Sequence, residues 1–371
     1  MKVNILSPGR FHVCDLAREL DAQGFDVRFY SYVLPTRAAR FGLPKRCSSN
    51  WAWALLPFIF MERKAPWCHL WWVDLRRFVQ DGLTSLVQRD ADVTIAMSGE
   101  FNRSVAKAKR RGSVIICERG SKHILDQKRI LDENPGQQKS PISASNVERE
   151  LLSYELADYI SVGAEHVERS FLQRGFSKQK LFVNPYGVEL GSFHPILNEV
   201  KPYDFLMVGT WSYQKGCDLI TEAIRKTNYR FLHVGSLGDT PFPQNDSQFV
   251  HIDPVDQLEL IKYYAQSKVF VLPSRQDGLA MVLVQAIACG LPIVASQDGG
   301  ACDLKKLVDA PDYISIVDGL DADSLTKAMV TALELQQHNP SPNYAGSALN
   351  QLTWQAYGSR YAQFLRLIIP C

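Results

Sequence analysis

Short apolar runs recur along the chain with helical stretches between them. In the first half they occupy residues 3–6, 27–33, 93–97, 114–117, 159–162 and 181–184; in the second, residues 205–209, 231–235, 249–252, 269–273, 293–296 and 313–317. They are rich in β-branched and aromatic residues and are apolar throughout instead of alternating, the pattern of strands covered on both faces. Their alternation with helices predicts parallel sheets, and two such series predict two doubly wound α/β domains. The Pro- and Gly-rich stretch at residues 184–202 separates the series and marks the crossing between them. The predicted division is residues 1–195, residues 196–350 and a closing helix in 351–371, where Leu352, Tyr357, Tyr361, Phe364, Leu365 and Ile368 recur at helical spacing. Open parallel sheets bind ligands beyond the carboxyl ends of their strands, so the cleft between two facing domains is where substrates are expected.

A length of 371 residues agrees with two cores, and 46% apolar with 22% charged residues is the composition of a folded chain. The net charge of +2 indicates no nucleic-acid partner, but the halves differ. Residues 1–198 hold 28 Lys+Arg against 21 Asp+Glu, and residues 199–371 hold 13 against 18, so an anionic acceptor or surface is expected at the first half. The eight cysteines form no CxxC pair, which argues against a zinc site or a disulfide framework and fits a reducing cytoplasm. The opening MKVNILSPGRF reads as a strand, without a signal peptide's apolar core, and no run reaches the roughly 18 apolar residues of a membrane span.

One segment strains that description. NWAWALLPFIFMERKAPWCHLWW, from Asn50 to Trp72, holds five of the seven tryptophans, with Arg37, Arg40, Lys45, Arg46, Arg63 and Lys64 beside or within it. Two readings stand open: peripheral contact with the inner face of a membrane, or an aromatic-rich helix buried in the first domain.

The densest chemistry lies in PSRQDGLAMVLVQAIACGLPIVAS, residues 273–296, which reads as strand end, turn and helix. Backbone amides at Leu279, Ala280 and Met281, with the helix dipole behind them, suit an anion such as a diphosphate. Asp277 could accept hydrogen bonds from sugar hydroxyls, or could be a plain helix N-cap. Gln285, about two helical turns further on, could hold a second hydroxyl-bearing group, or could be a satisfied core amide.

This run resembles the donor-site signature of retaining glycosyltransferases of family 4, which have the GT-B fold of two Rossmann-like domains. In that signature Pro-Ser-x-x-Glu-Gly-Phe-Gly leads into a helix bearing a second Glu, then Ala-x-Ala-Cys-Gly-x-Pro-Val-Val-Ala and Gly-Gly. Here the segments are PSRQDGLA, Gln285, AIACGLPIVAS and Gly299-Gly300. Three further segments are similar to the family: FLMVGTWSYQKGCDLITEAI, ELADYISVGAEHVERSFLQRGFSKQKLFVNPYGVELGSFHP and SPGRFHVCDLARELDAQGFDV.

The resemblance implies that Asp277 contacts the transferred sugar, Gln285 the ribose and Lys215 the diphosphate, with Gly278 in the same turn. Thr210 stands where the family has an arginine; Arg275 is a candidate replacement, the alternative being an exposed turn residue. Gly9 and Arg10 fall on the loop facing the acceptor. In CERGSKHILDQ, His123 is the candidate to approach the reacting sugar, against the alternative of an exposed loop histidine, and Glu118 and Arg119 are acceptor-side candidates. The implied reaction moves a hexose from a nucleotide-diphosphate sugar to a glycan or lipid-linked acceptor with retention, as in surface polysaccharide or glycolipid synthesis. Lys215 and the helix N-terminus would stabilise the leaving group, so neither metal nor added cofactor is expected. The departures at Thr210, Asp277 and Gln285 keep open a catalytically weak nucleotide-sugar-binding partner protein, and an epimerase on the same fold is a further alternative.

Overall fold

A computed structural model describes all residues except 51, 65–68, 135, 137–141, 197–198, 339–346 and 370–371. Trp51 and Trp67 of the aromatic segment lie outside the described residues.

Thirteen strands are formed among the described residues: β1 Lys2–Leu6, β2 Asp26–Ser31, β3 Ser48–Asn50, β4 Val93–Met97, β5 Val114–Arg119, β6 Tyr159–Val162, β7 Leu181–Val183, β8 Tyr203–Val208, β9 Phe231–Val234, β10 Phe249–Ile252, β11 Ser267–Leu272, β12 Ile293–Ala295 and β13 Ile314–Ile316. They build two sheets, ordered β3-β2-β1-β4-β5-β6-β7 and β10-β9-β8-β11-β12-β13. Every pairing is parallel, with Val3 opposite both Val27 and Val93 in the first sheet and Phe270 opposite Ile293 in the second. Each sheet reverses its order at its first strand, giving the two doubly wound units expected.

All twelve apolar runs are strands. Val3, Ile5, Val93, Ile95, Ile116 and Ile160 of one sheet, and Phe205, Leu206, Val269 and Phe270 of the other, are fully buried, because helices cover both faces. Each such side chain contributes about 1.5–3 kcal/mol relative to exposure. The strand that escaped the pattern is β3, three polar residues at the edge, registered by Phe29 opposite Ser48.

The helix Trp354–Ile368 starts at Thr353, whose hydroxyl accepts from the Ala356 amide at 3.1 Å. It belongs in space to the first domain, packed along the helix His12–Ala22, with Tyr357, Tyr361 and Leu365 buried. The two chain crossings are stitched together where the Val188 amide donates to the Leu352 carbonyl at 2.7 Å. Arg360 adds bonds to Asn184 and to the Pro185 carbonyl, both at 2.7 Å.

Candidate active site

The carboxyl ends of β8, β11 and β12 carry three loops that fold onto one another. After β8 a 3-10 turn, Tyr213–Lys215, leads through Gly216 into the helix Cys217–Arg225. Gly216 has φ +73°, and a Cβ there would lie 2.2 Å from the Pro273 carbonyl oxygen, so only glycine lets this turn rest against the loop after β11. Bonds from the Arg275 amide to the Gln214 carbonyl (2.9 Å) and from Gln214 Nε2 to the Gln276 carbonyl (3.1 Å) complete the seam. Lys215 is thereby carried to Asp277, and the two side chains form an ion pair.

Asp277 is not a helix cap. The helix Met281–Ala288 has Ala280 at its N-cap position and no side-chain cap. Instead, Oδ1 of Asp277 accepts from the Gly278 amide at 2.9 Å, Oδ2 meets Lys215, and the Asp277 amide donates to the Asp298 carbonyl at 2.8 Å. Of the three expected anion-binding amides, that of Ala280 donates to the Gly299 carbonyl at 3.1 Å; those of Leu279 and Met281 have no partner among the described residues.

The first domain closes over this turn. Gly278 sits against Gly120, at the end of β5, so tightly that a Cβ on Gly278 would lie 2.0 Å from the Gly120 carbonyl oxygen. His166 places Nε2 at 3.0 Å from the Asp277 carbonyl, and Lys122 bridges to the Asp298 carboxylate at 2.7 Å. Burial holds His166 below the ordinary histidine range, so that neutral Nε2–H donates to this carbonyl. Its Nδ1 is buried without a hydrogen bond, as is the hydroxyl of Tyr186, which lies next to Gly120 and Gly163. None of Gly120, Lys122, His166, Tyr186 or Asp298 was singled out from sequence; each follows a strand end, and all but Asp298 lie in segments already noted for their resemblance.

Several expected contributors have partners within the protein. His123 is buried and not an exposed loop residue: its Nδ1 caps the helix Ile124–Asp132 by accepting from the Leu125 amide at 3.3 Å, and its ring sits among Tyr154, Phe171 and Phe176. Burial pushes its pKa down to about 4, so it is neutral at physiological pH. Glu118 is fully buried and accepts from Ser161 (3.0 Å), Tyr361 (3.0 Å) and Tyr357 (3.4 Å), with His12 at 3.3 Å. Arg119 is buried against Glu150 (2.8 Å), Gln127 (2.6 Å) and the Lys122 carbonyl (2.8 Å). These two residues tie β5 to the helix Trp354–Ile368 and to Glu150 within the first domain.

Arg275 is not a free surface residue. Its guanidinium grips Asp218 with two bonds of 2.6 and 2.7 Å and lies over the Tyr213 ring. Gln285 is buried, and its amide oxygen accepts from the Tyr264 hydroxyl at 3.0 Å. Thr210 is exposed at the end of β8, 3.0 Å from the Ser236 hydroxyl. The chain has two Asp-x-Asp patterns, at residues 90–92 and 321–323, and all four carboxylates have local partners: Asp90 pairs with Arg111, Asp92 accepts from the Lys2 amide, Asp321 accepts from the Ser324 amide and Asp323 pairs with Lys226.

On the acceptor side, Gly9 is buried beside Tyr32, and Arg10 reaches across the cleft to Gln257 at 3.1 Å while lying over the Phe41 ring. Arg10 opens onto a cavity of about 1060 Å³ between the domains, whose walls carry Arg18, Arg37 and Arg40 and the acidic Asp15, Glu19, Glu189 and Asp256; Asp15 pairs with both Arg10 (3.6 Å) and Arg18 (2.9 Å). The Arg10 Nε is buried without a partner.

Two facing doubly wound domains with a charged turn at their junction define the GT-B architecture, and solved structures share it over the whole chain. Sucrose-phosphate synthase from Thermosynechococcus elongatus superposes with a TM-score of 0.70 at 16% identity, covering 99% of both chains. Anabaena HepE in complex with UDP and glucose gives 0.69 at 14% identity, covering 99% of this chain and 100% of that one. Residues 202–335 match the family described as Glycosyl transferases group 1. The chain is 33% identical over 116 residues to a GDP-mannose-dependent alpha-(1-6)-phosphatidylinositol monomannoside mannosyltransferase of Mycolicibacterium smegmatis, 29% of this chain and 30% of that protein. It is 25% identical over 206 residues to a phosphatidylinositol N-acetylglucosaminyltransferase component of Arabidopsis thaliana, 50% of this chain and 44% of that protein. It thus spans from under a third to under a half of the length of these curated relatives.

Proposed function

We propose that this chain is a retaining, metal-independent glycosyltransferase of family 4 that moves a hexose from a nucleotide-diphosphate sugar to a glycan or lipid-linked acceptor. The observation that carries the proposal is the Lys215–Asp277 pair, set at the mouth of a helix and closed over by the first domain. Lys215 and the amides of Leu279 and Met281 offer positive charge and donors to a diphosphate leaving group. Asp277, once released from Lys215, accepts from a hydroxyl of the sugar. The relatives named for phosphatidylinositol acceptors, together with Arg37 and Arg40, which are exposed at the interdomain cavity and have no carboxylate partner among the described residues, support an acceptor that carries phosphate and enters from that side. Such an acceptor fits glycolipid or surface polysaccharide synthesis at the cytoplasmic face of a membrane.

Calorimetric titration with UDP, GDP, ADP and TDP tests the donor site. One nucleotide is expected to bind and to identify the sugar-nucleotide series for transfer assays, in which the product's anomeric configuration is read by NMR. Absence of binding by all four overturns the proposal. A second reading, a nucleotide-sugar-binding partner protein with little turnover, is favoured by Thr210 in the arginine position and by Gln285 facing Tyr264. It is separated from the first by nucleotide binding without donor consumption across the acceptor series.

A further inference from the structure

We propose that the helical hairpin formed by Ala52–Lys64 and His69–Val87 docks on the surface of an anionic lipid bilayer. The two helices pack against each other, and Leu55 is buried beneath them. The face left over is apolar. Trp53 is 73% exposed and Trp71 59%, and Leu56, Phe60 and Phe78 are each more than half exposed. Trp53, Leu56, Phe60 and Lys64 follow one another at three-, four- and four-residue steps, and Trp71 and Phe78 at seven, so each helix presents one stripe. Burial of the aromatic segment inside the domain therefore fails as a description of these side chains.

A stripe of this kind needs an occupant. Thirteen residues of helix extend about 20 Å, short of the roughly 30 Å hydrocarbon core, and among the described residues no helix is long and apolar enough to cross a membrane. Tryptophan and phenylalanine on a short helix, ending in a lysine that lies over the Phe60 ring, have the chemistry of the boundary between headgroups and acyl chains. Charge selects the occupant further. Residues 35–80 hold eight Lys+Arg against two Asp+Glu, and Arg37, Arg40, Lys45 and Lys64 are exposed. A second copy of the chain on a two-fold axis would bring Lys64 and this segment's excess of basic residues towards their own copies, whereas anionic headgroups complement them.

The full chain is tested by co-sedimentation with vesicles of phosphatidylcholine alone and of phosphatidylcholine mixed with phosphatidylglycerol. Binding to the mixed vesicles is expected to be about tenfold or more tighter and to weaken with added salt. The double variant Trp53→Ser, Phe60→Ser is expected to lose at least about tenfold of that binding. Both positions are exposed, so its melting temperature and nucleotide affinity should match the wild type. No binding, equal binding to both vesicle types, or undiminished binding by the variant would each overturn the proposal. So would concentration-dependent dimerisation in the absence of lipid that the double variant abolishes, since it assigns the face to a second copy.

Discussion

Lys215 and Asp277 are ion-paired across two loops that are distant in sequence, one following β8 and the other β11. The pair neutralises two groups which the proposed reaction uses separately, one on phosphate and one on sugar. A diphosphate that recruits Lys215 competes with Asp277 and frees that carboxylate for a hydroxyl, so donor binding and sugar positioning are coupled through one exchange of partners.

The two variants should therefore behave in opposite ways. Lys215→Ala is expected to weaken nucleotide-diphosphate binding at least tenfold, about 1.4 kcal/mol, with an unchanged melting temperature. Asp277→Ala releases Lys215 and should bind the bare nucleotide as well as or better than the wild type, while donor turnover falls about a hundredfold or more, roughly 2.7 kcal/mol. Calorimetry on both, with a turnover assay, gives the comparison; a loss of nucleotide affinity in Asp277→Ala equal to that in Lys215→Ala would remove the partner exchange.

Gly278 is held by contact, not by backbone conformation. Its φ is not positive, so alanine is locally allowed, but a Cβ would stand 2.0 Å from the Gly120 carbonyl oxygen of the other domain. Gly278→Ala should consequently prop the cleft open: a larger radius of gyration in small-angle scattering and turnover down about tenfold or more, with nucleotide affinity retained. An unchanged radius and full turnover would mean that this contact does not set the working geometry.

Arg275 ties the loop after β11 to the helix Cys217–Arg225 through Asp218 and stacks on Tyr213. Arg275→Ala should lower stability by about 1–2 kcal/mol, read as a fall in denaturation midpoint, and leave the nucleotide affinity within about threefold. A large loss of affinity without loss of stability would return this arginine to the phosphate.

Histidine burial sets an acid limit. His123 has its pKa lowered to about 4 in the folded protein, and an unfolded histidine titrates near 6.5. Between these values the unfolded chain binds the extra proton, so stability is complete above about pH 6.5 and is lost as pH falls towards 4. The contribution of His123 is on the order of 3 kcal/mol, and His233, held at about 4 by burial beside Gly209, acts in the same direction. His123→Asn keeps an N-cap acceptor but cannot protonate; its melting temperature should decline less steeply than the wild type's over that interval. Parallel pH profiles would count against this account.

Glu118 shows how far the chain could be read in advance. Its place at the end of an apolar run was legible, because continuous burial of β5 demands such a run, but the same position suits a surface ligand or a buried anchor. Tyr357 and Tyr361, more than two hundred residues away, make it an anchor. His123 and His166 also follow strands and are chemically identical; the aromatic cage around one and the Asp277 carbonyl beside the other separate their roles. β3 was illegible because three polar residues carry no periodic signal and pair only because β2 offers an open edge.

Apolar runs, turn glycines and the charged residues Lys215 and Asp277 are properties of short stretches, and local backbone preference with two-face burial was enough to place them in two doubly wound domains. Which polar side chains would meet, which would be sealed inside, and which aromatic stripe would remain uncovered depended on elements remote in the chain. Hydrogen bonding and desolvation are settled by whatever lies within a few ångströms in space, and that neighbourhood exists only once the sheets, their helices and the returning helix Trp354–Ile368 have closed around it.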